Sequence, residues 1–302
     1  ILQESDGVIS LSLVDPSGAA LPSWKPGAHI DVQVGDLVRQ YSLCTPEGDQ
    51  GAWRIGVLKE ANGRGGSKGI HETVQEGDLV TVSHPRNNFA LLPSRRYIFI
   101  AGGIGVTPIL AMATQAERDG AQWSMVYGGR SLATMAFTDE LQAFGEKVRL
   151  APEETEGYVN FNELLGEVQP DTLIYCCGPE PLLKVVEAAS AHWPSGSLHV
   201  ERFVAKEFDT GGDVPFEVEC VDSGVTLNIP VGKSILEVAE AEGLSVISSC
   251  GEGTCGTCET PVVSGEVDHR DSILTDEEKV ACDSMFICVS RSKGGCPLKL
   301  SL

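Results

Sequence analysis

The stretch Ser249-Cys250-Gly251-Glu252-Gly253-Thr254-Cys255-Gly256-Thr257-Cys258 spaces three cysteines as C-x4-C-x2-C. With a fourth cysteine further on, that is the plant-type spacing for a [2Fe–2S] cluster. The interleaved glycines have a physical purpose. A loop that wraps a cluster must turn tightly, often at positive φ, and aim backbone N–H groups at the sulfurs. Zinc is the bland alternative, but zinc usually takes two separated C-x2-C pairs, and a single such pair occurs here. A disulfide framework needs an oxidising compartment, and nothing at the N-terminus resembles a signal peptide. A cytoplasmic protein is expected.

Cys282, Cys288 and Cys296 compete for the fourth position. Plant-type ferredoxins leave 29 residues between the third ligand and the fourth, and residues 259–287 number 29, which selects Cys288. Cys282 and Cys296 are then free thiols. Cys44, Cys176, Cys177 and Cys220 are scattered over the rest of the chain. At 302 residues the chain exceeds a typical single core, so two or three domains are expected. Its 43 acidic against 22 basic residues, a net charge of −21, argue against a nucleic-acid binder. No apolar stretch approaches the roughly 20 residues of a bilayer span, so no membrane partner is expected.

Working back from the cysteines, residues 214–302 read as a small β-grasp-like unit. Phe216–Val221 and Val225–Ile229 make a hairpin around Asp222-Ser223-Gly224. Ser234 and Glu237 form a capping-box pattern for a helix over Ile235–Glu242. Residues 204–213 are polar and glycine-containing, a linker. Over residues 94–203, strands at Tyr97–Ala101, Trp123–Tyr127, Lys147–Leu150, Thr172–Cys177 and Leu198–Glu201 alternate with helical patterns such as Phe137–Phe144 and Pro181–Trp193. That alternation implies an α/β domain with a parallel sheet. Residues 1–93 carry short alternating runs at Ile30–Val34, Leu37–Leu43, Trp53–Lys59 and Leu79–Ser83, the pattern of an antiparallel β-barrel.

Two loops in the α/β region carry chemistry. Gly102-Gly103-Ile104-Gly105-Val106-Thr107-Pro108 follows a strand and opens a helix, where backbone N–H groups can approach a pyrophosphate. It is not the G-x-G-x-x-G fingerprint, and a tight structural turn is the alternative. Cys177-Gly178-Pro179 closes a hydrophobic strand, at the end where open α/β sheets bind ligands; core filler is the alternative. On the barrel, Arg39-Gln40-Tyr41-Ser42 places a cation and an aromatic ring on one strand face, and Gly63-Arg64-Gly65-Gly66-Ser67-Lys68 is a second phosphate cradle. An exposed strand and a flexible loop are the plain readings of these two. The six histidines lack metal-ligand spacing and read as surface or satisfied residues.

In this order the motifs resemble the phthalate dioxygenase reductase / vanillate demethylase reductase family, the single-chain reductases of Rieske oxygenase systems. The resemblance covers essentially the whole chain and rests on Arg39-Gln40-Tyr41-Ser42-Leu43, Gly65-Gly66-Ser67, Gly102–Pro108, Cys177-Gly178-Pro179, Glu201-Arg202-Phe203 and the four cysteines. It implies a flavin barrel, a nicotinamide domain and a C-terminal ferredoxin domain. FMN would lie against Arg39, Tyr41 and Ser42, its phosphate on Gly65, Gly66 and Ser67. NADH would take Gly103, Gly105, Thr107, Gly178 and Pro179. Cys177 and Ser42 would flank the hydride transfer, and Phe203 would pack near the flavin. Arg130 could contact a 2′-phosphate, which leaves NADPH open. Cys250, Cys255, Cys258 and Cys288 would hold the cluster. The implied activity passes hydride from NADH to FMN, then single electrons through the cluster to a terminal Rieske oxygenase. Residues 214–302 hold 15 acidic and 6 basic side chains, a face suited to a basic patch on that partner. The alternatives are a reductase of another oxygenase class, a ferredoxin-type carrier or redox sensor with an inactive flavin domain, and a free-flavin reductase.

Overall fold

Alternation of buried and exposed side chains builds the first strands. The computed structural model describes residues 1–44, 51–61, 63, 65–204, 208 and 210–302. Strands β1 (Leu2–Ser5), β2 (Val8–Leu13), β3 (Ala28–Val34), β4 (Leu37–Ser42), β5 (Trp53–Leu58) and β6 (Arg86–Asn87) form two antiparallel sheets, β1-β2-β5 and β4-β3-β6. A bridge between Leu43 and Ile55 joins the sheets around a core of Ile9, Leu11, Ile30, Val32, Ile55 and Val57. Helix α1 (Gly66–Thr73) plugs that core with Ile70. The run Leu79–Ser83, expected as a strand, meets β3 through a single bridge, Val82 to Val32. Two backbone bonds, Gln33 N to the Thr81 carbonyl and Ser83 N to the Asp31 carbonyl, hold the run to β3, and Val80 and Val82 pack on the barrel core while Leu79 is exposed.

The second sheet is wholly parallel. It runs β11-β10-β7-β8-β9, from β7 (Arg96–Gly102), β8 (Gln122–Gly129), β9 (Val148–Pro152), β10 (Thr172–Cys177) and β11 (Leu198–Glu201). A sheet covered on both faces needs apolar residues at every position, and β7 shows this. Tyr97, Phe99 and Ala101 pack on one face with α2 (Val106–Arg118), while Ile98 and Ile100 pack on the other with α6 (Glu180–Ala189). Short helices α3 (Thr138–Gln142), α4 (Glu153–Glu156) and α5 (Phe161–Leu164) complete the connections. Strand β2 links barrel and sheet: Ile9 and Leu11 face the barrel core, and Val8 joins the core beneath α2. Arg54 fastens the same junction with a two-pronged pair to Glu140, at 2.5 and 2.8 Å.

Contacts divide the chain into two compact units, Ile1–Phe203 and Val204–Leu302. The expected linker, 204–213, lies partly outside the described residues. Its last residue, Asp213, is ion-paired with Arg270 and Arg291 of the second unit. That unit is a mixed sheet, β13-β12-β18-β14-β16, of β12 (Phe216–Cys220), β13 (Val225–Ile229), β14 (Glu259–Ser264), β16 (Ser284–Phe286) and β18 (Leu298–Leu300). Strands β15 (Val267–Asp268) and β17 (Arg291–Ser292) pair beside it. Helix α7 (Ile235–Ala241) buries Ile235, Leu236 and Ala239 against the sheet, and its capping box is closed by Ser234 and Glu237. Helix α8 (Asp276–Ala281) carries a second capping box, Thr275 with Glu278. No helix among the described residues is long and apolar enough to cross a membrane.

Candidate functional site

On the barrel, register places the expected flavin residues. Arg39 lies opposite Val32 and Tyr41 opposite Ile30, so the two side chains share one face, while Ser42 is buried opposite His29. Helix α1 starts directly against Arg39: a Cβ on Gly66 would lie 2.5 Å from Arg39 Cγ. Gly65, at φ 95°, turns the chain into that helix, which has no side-chain cap and no acid in its first turn. Arg39 Nη1 donates to the Val38 carbonyl at 2.7 Å, while its Nη2 is buried without a partner. The Ser67 hydroxyl accepts from the Glu60 amide at 3.1 Å. An uncapped helix start beside an unspent guanidinium has the chemistry to take an anion such as a phosphate. Burial raises the Tyr41 phenol to about 12 against the opposing pull of Arg39, so it stays neutral. Arg64 lies outside the described residues.

At the parallel sheet, chain order makes a crevice. From β7 the chain runs outward through β8 and β9, then returns to the other side of β7 for β10 and β11. The carboxyl ends of β7 and β10 therefore flank the switch point where open α/β sheets bind ligands. The two glycine loops meet there. A Cβ on Gly105 would stand 2.3 Å from the Cys177 carbonyl oxygen and 2.7 Å from the Gly178 nitrogen, and one on Gly102 would stand 2.9 Å from Pro179. Gly103 adopts φ 52°. Helix α2 begins at this point with no side-chain cap and no acid in its first turn; Thr107, on that turn, is buried and bonds the Ile104 carbonyl at 3.0 Å. Arg130 is exposed just beyond the carboxyl end of β8, and Phe203 is exposed at the end of the first unit.

The adjacent cysteines of β10 face opposite ways: Cys176 enters the core beneath α6, and Cys177 the core beneath α2. Parallel register sets Cys177 beside Glu201, and the thiol donates to the carboxylate at 3.7 Å. Burial, with Glu201 adding to it, pushes the Cys177 thiol well above its ordinary value. Burial also raises the Glu201 carboxyl to about 8, with the Cys177 contact opposing. Both groups are protonated at neutral pH. Glu201 was given no site role from sequence, although Glu201-Arg202-Phe203 was among the motifs that carry the resemblance. Between the ordinary glutamate value and about 8, the folded chain keeps a proton that the unfolded chain has released. Stability from this group therefore falls as pH rises through that window. The melting temperature of Glu201→Gln relative to wild type should climb between pH 6 and pH 8, roughly the upper half of it. A difference that stays flat there would sink this account.

The cysteine loop precedes β14. Gly251, Gly253 and Gly256 all take positive φ, at 69°, 68° and 79°. These turns bring the four thiols together: Cys250 neighbours both Cys255 and Cys288, and Cys288 also neighbours Cys258. Their mutual contacts hold the Cys250 and Cys258 thiols below the ordinary value and the Cys255 and Cys288 thiols above it. Backbone amides point at the sulfurs, Glu252 N to Cys250 Sγ at 3.2 Å and Thr257 N to Cys255 Sγ at 3.4 Å. A soft, four-sulfur set with N–H donors around it fits an iron–sulfur cluster. Cys282 sits instead at the end of α8 in a left-handed conformation, and Cys296 donates to the Glu266 carbonyl.

Known proteins share these features. Residues 218–293 match the model of the 2Fe-2S iron-sulfur cluster binding domain, and residues 99–188 that of the oxidoreductase NAD-binding domain. Phthalate dioxygenase reductase of Burkholderia cepacia is 39% identical over 94% of this chain and 90% of its own. A solved structure of phthalate dioxygenase reductase superposes with a TM-score of 0.73 at 38% identity, covering 100% of this chain and 95% of the other. An intact type IV self-sufficient cytochrome P450 monooxygenase superposes with a TM-score of 0.93 at 41% identity over 99% of this chain. The chain spans 40% of the length of that P450.

Proposed function

The chain belongs to the phthalate dioxygenase reductase family, and from that premise we propose how its residues divide the work. It is an NADH-dependent iron–sulfur oxidoreductase that works with FMN and a [2Fe–2S] cluster as the reductase of an oxygenase system. When bound, FMN would supply the chemistry that joins a two-electron hydride donor to a one-electron acceptor. Arg39, Gly65, Gly66 and Ser67 hold its phosphate, with Tyr41 and Ser42 along the ring and Phe203 over it. Gly103, Gly105, Thr107, Gly178 and Pro179 seat the dinucleotide, and Cys177 with Glu201 lines the nicotinamide end. Two neutral acids there crowd and orient the ring without adding charge. Arg130, just beyond β8, would contact a 2′-phosphate if the donor were NADPH. Cys250, Cys255, Cys258 and Cys288 ligate the cluster.

The observation that carries this reading is the switch-point crevice with an unspent arginine cradle in one unit, and four gathered thiols in the other. Its test is anaerobic titration with NADH, followed by visible absorption and EPR. Bleaching of a flavin band and appearance of a reduced [2Fe–2S] signal are expected. Absence of either overturns the reading, and bleaching without the signal would favour a free-flavin reductase.

The acceptor is an oxygenase, and a terminal Rieske oxygenase is the partner proposed first. The excess of acids over residues 214–302, 15 against 6 bases, favours a partner with a basic face. The superposition on a self-sufficient cytochrome P450 favours a second reading, in which a haem domain takes the electrons. Stopped-flow reduction of purified Rieske and haem acceptors by the NADH-reduced protein separates the two. The true acceptor class should be reduced faster, with a rate that falls as salt rises.

A further inference from the structure

Beneath the cysteine loop lies a buried carboxylate that the electron path described so far does not use. The Asp271 side chain is fully buried. Its Oδ1 accepts from the Ile273 and Leu274 amides at 3.0 and 2.7 Å, while its Oδ2 is buried with no hydrogen-bond partner. The segment presses directly on the cluster loop. Ser272 N donates to the Gly253 carbonyl at 3.0 Å, and a Cβ on Gly253 would lie 3.2 Å from Asp271 Cα. Gly253 stands between the ligands Cys250 and Cys255, so the packing leaves no room for a side chain or a water layer between them.

Among the described residues, no Arg or Lys forms an ion pair with Asp271. Arg270, one residue away, is committed to Asp213 and Asp268, at 2.5 and 2.7 Å. His269 approaches Oδ2 with Nδ1 at 3.9 Å, too far for a hydrogen bond, and both of its ring nitrogens lack partners. Contrary to the sequence expectation, this histidine is neither at the surface nor satisfied. Burial holds it below its ordinary value, helped by Lys279 and opposed by Asp271 and Asp268, so at neutral pH it is uncharged.

We propose that Asp271 sets the reduction potential of the cluster, as a fixed negative charge under the ligand loop that opposes uptake of the electron. Reduction adds one electron to the cluster and moves no proton in this scheme. A buried charge acts through a lower effective dielectric than an exposed one and is little screened by salt. The effect makes the reduced cluster a stronger donor to the next protein. This inference rests on the assignment of the four cysteines as cluster ligands.

The test is a potentiometric titration of the holoprotein with dithionite and mediators at pH 7, read by EPR. Asp271→Asn keeps an oxygen for the two amides and removes the charge. It should raise the reduced-to-oxidised ratio at fixed potential at least threefold, about 28 mV at 59 mV per decade, in low and high salt alike. Asp271→Ser, whose hydroxyl can still cap the turn, should move the potential the same way. The exposed Asp276→Asn should shift it far less. A potential that is unchanged or lowered in the Asn and Ser variants overturns the proposal. So does loss of the cluster from both, since the carboxylate would then be a structural requirement. A wild-type protein with no [2Fe–2S] signal would instead defeat the cluster assignment itself.

Discussion

Cys288→Ser should purify with flavin but without a functional cluster, and NADH should still bleach its flavin at close to the wild-type rate. Transfer onward to a one-electron acceptor should drop by about a hundredfold or more, beyond the range seen when mere second-sphere groups around a metal are removed. The reason is local. Cys288 is buried beside both Cys250 and Cys258, so its sulfur closes the thiol set. A serine oxygen is a harder donor than thiolate and a poor match for iron–sulfur chemistry. The exchange is nearly isosteric, so the second unit should still fold, with a cost of about 1–3 kcal/mol for a buried hydroxyl short of partners. Hydride transfer survives because the expected flavin and nicotinamide residues all lie within Ile1–Phe203. Cys282→Ser is the matched control. Its thiol belongs to the α8 terminus and not to the contact chain, so iron content and EPR should be unchanged. Cluster loss in Cys282→Ser with retention in Cys288→Ser would overturn the ligand assignment.

The contrast between those two cysteines shows what one-dimensional information carries. Spacing alone separated Cys288 from Cys282 and Cys296, because a loop that must close on a cluster constrains sequence distance directly. The glycines at 251, 253 and 256 were legible for the same reason: a tight turn leaves its mark on residue type. Strand character was read well where burial is on both faces, as in Tyr97–Ala101. At Leu79–Ser83 the run does pair with β3 and buries Val80 and Val82 against the core, but the ladder stops at a single bridge. What stayed hidden depends on register and on close approach. Glu201 gains its raised carboxyl by standing beside Cys177 across a parallel ladder, 24 positions away. Asp271 and His269 differ from other surface-type residues because the cysteine loop folds down on them. The contact of Gly66 with Arg39 likewise arises only when α1 docks on β4. Neither composition nor periodicity encodes such meetings.

Gly105→Ala should be the most damaging single methyl group in the nicotinamide crevice. The new Cβ would fall 2.3 Å from the Cys177 carbonyl oxygen and 2.5 Å from its carbon. Those are backbone atoms of β10, held by ladders to β7 and β11, so they cannot swing aside as a side-chain tip would. The helix cannot retreat easily either, since Val106, Ile109, Leu110, Met112 and Ala113 are all packed in the core beneath the sheet. Overpacking of this kind costs about 1–3 kcal/mol, which lowers the melting temperature by about 2–4 °C for each kcal/mol in a domain of this size. The functional cost should be larger than the thermal one. Prising the α2 start from the Cys177 loop moves the N–H donors proposed for the pyrophosphate, and small misplacements of bound reactants are expensive in rate. NADH-driven flavin bleaching should slow by about a hundredfold, while the cluster keeps its EPR signal on chemical reduction. Gly103→Ala separates clash from backbone strain. Gly103 sits at φ 52° with open space where its Cβ would go, so only the left-handed penalty of about 1–2 kcal/mol applies. It should lose stability but keep most of its NADH rate. Equal kinetic damage at both positions would mean that loop conformation, and not the contact between the two loops, governs the crevice.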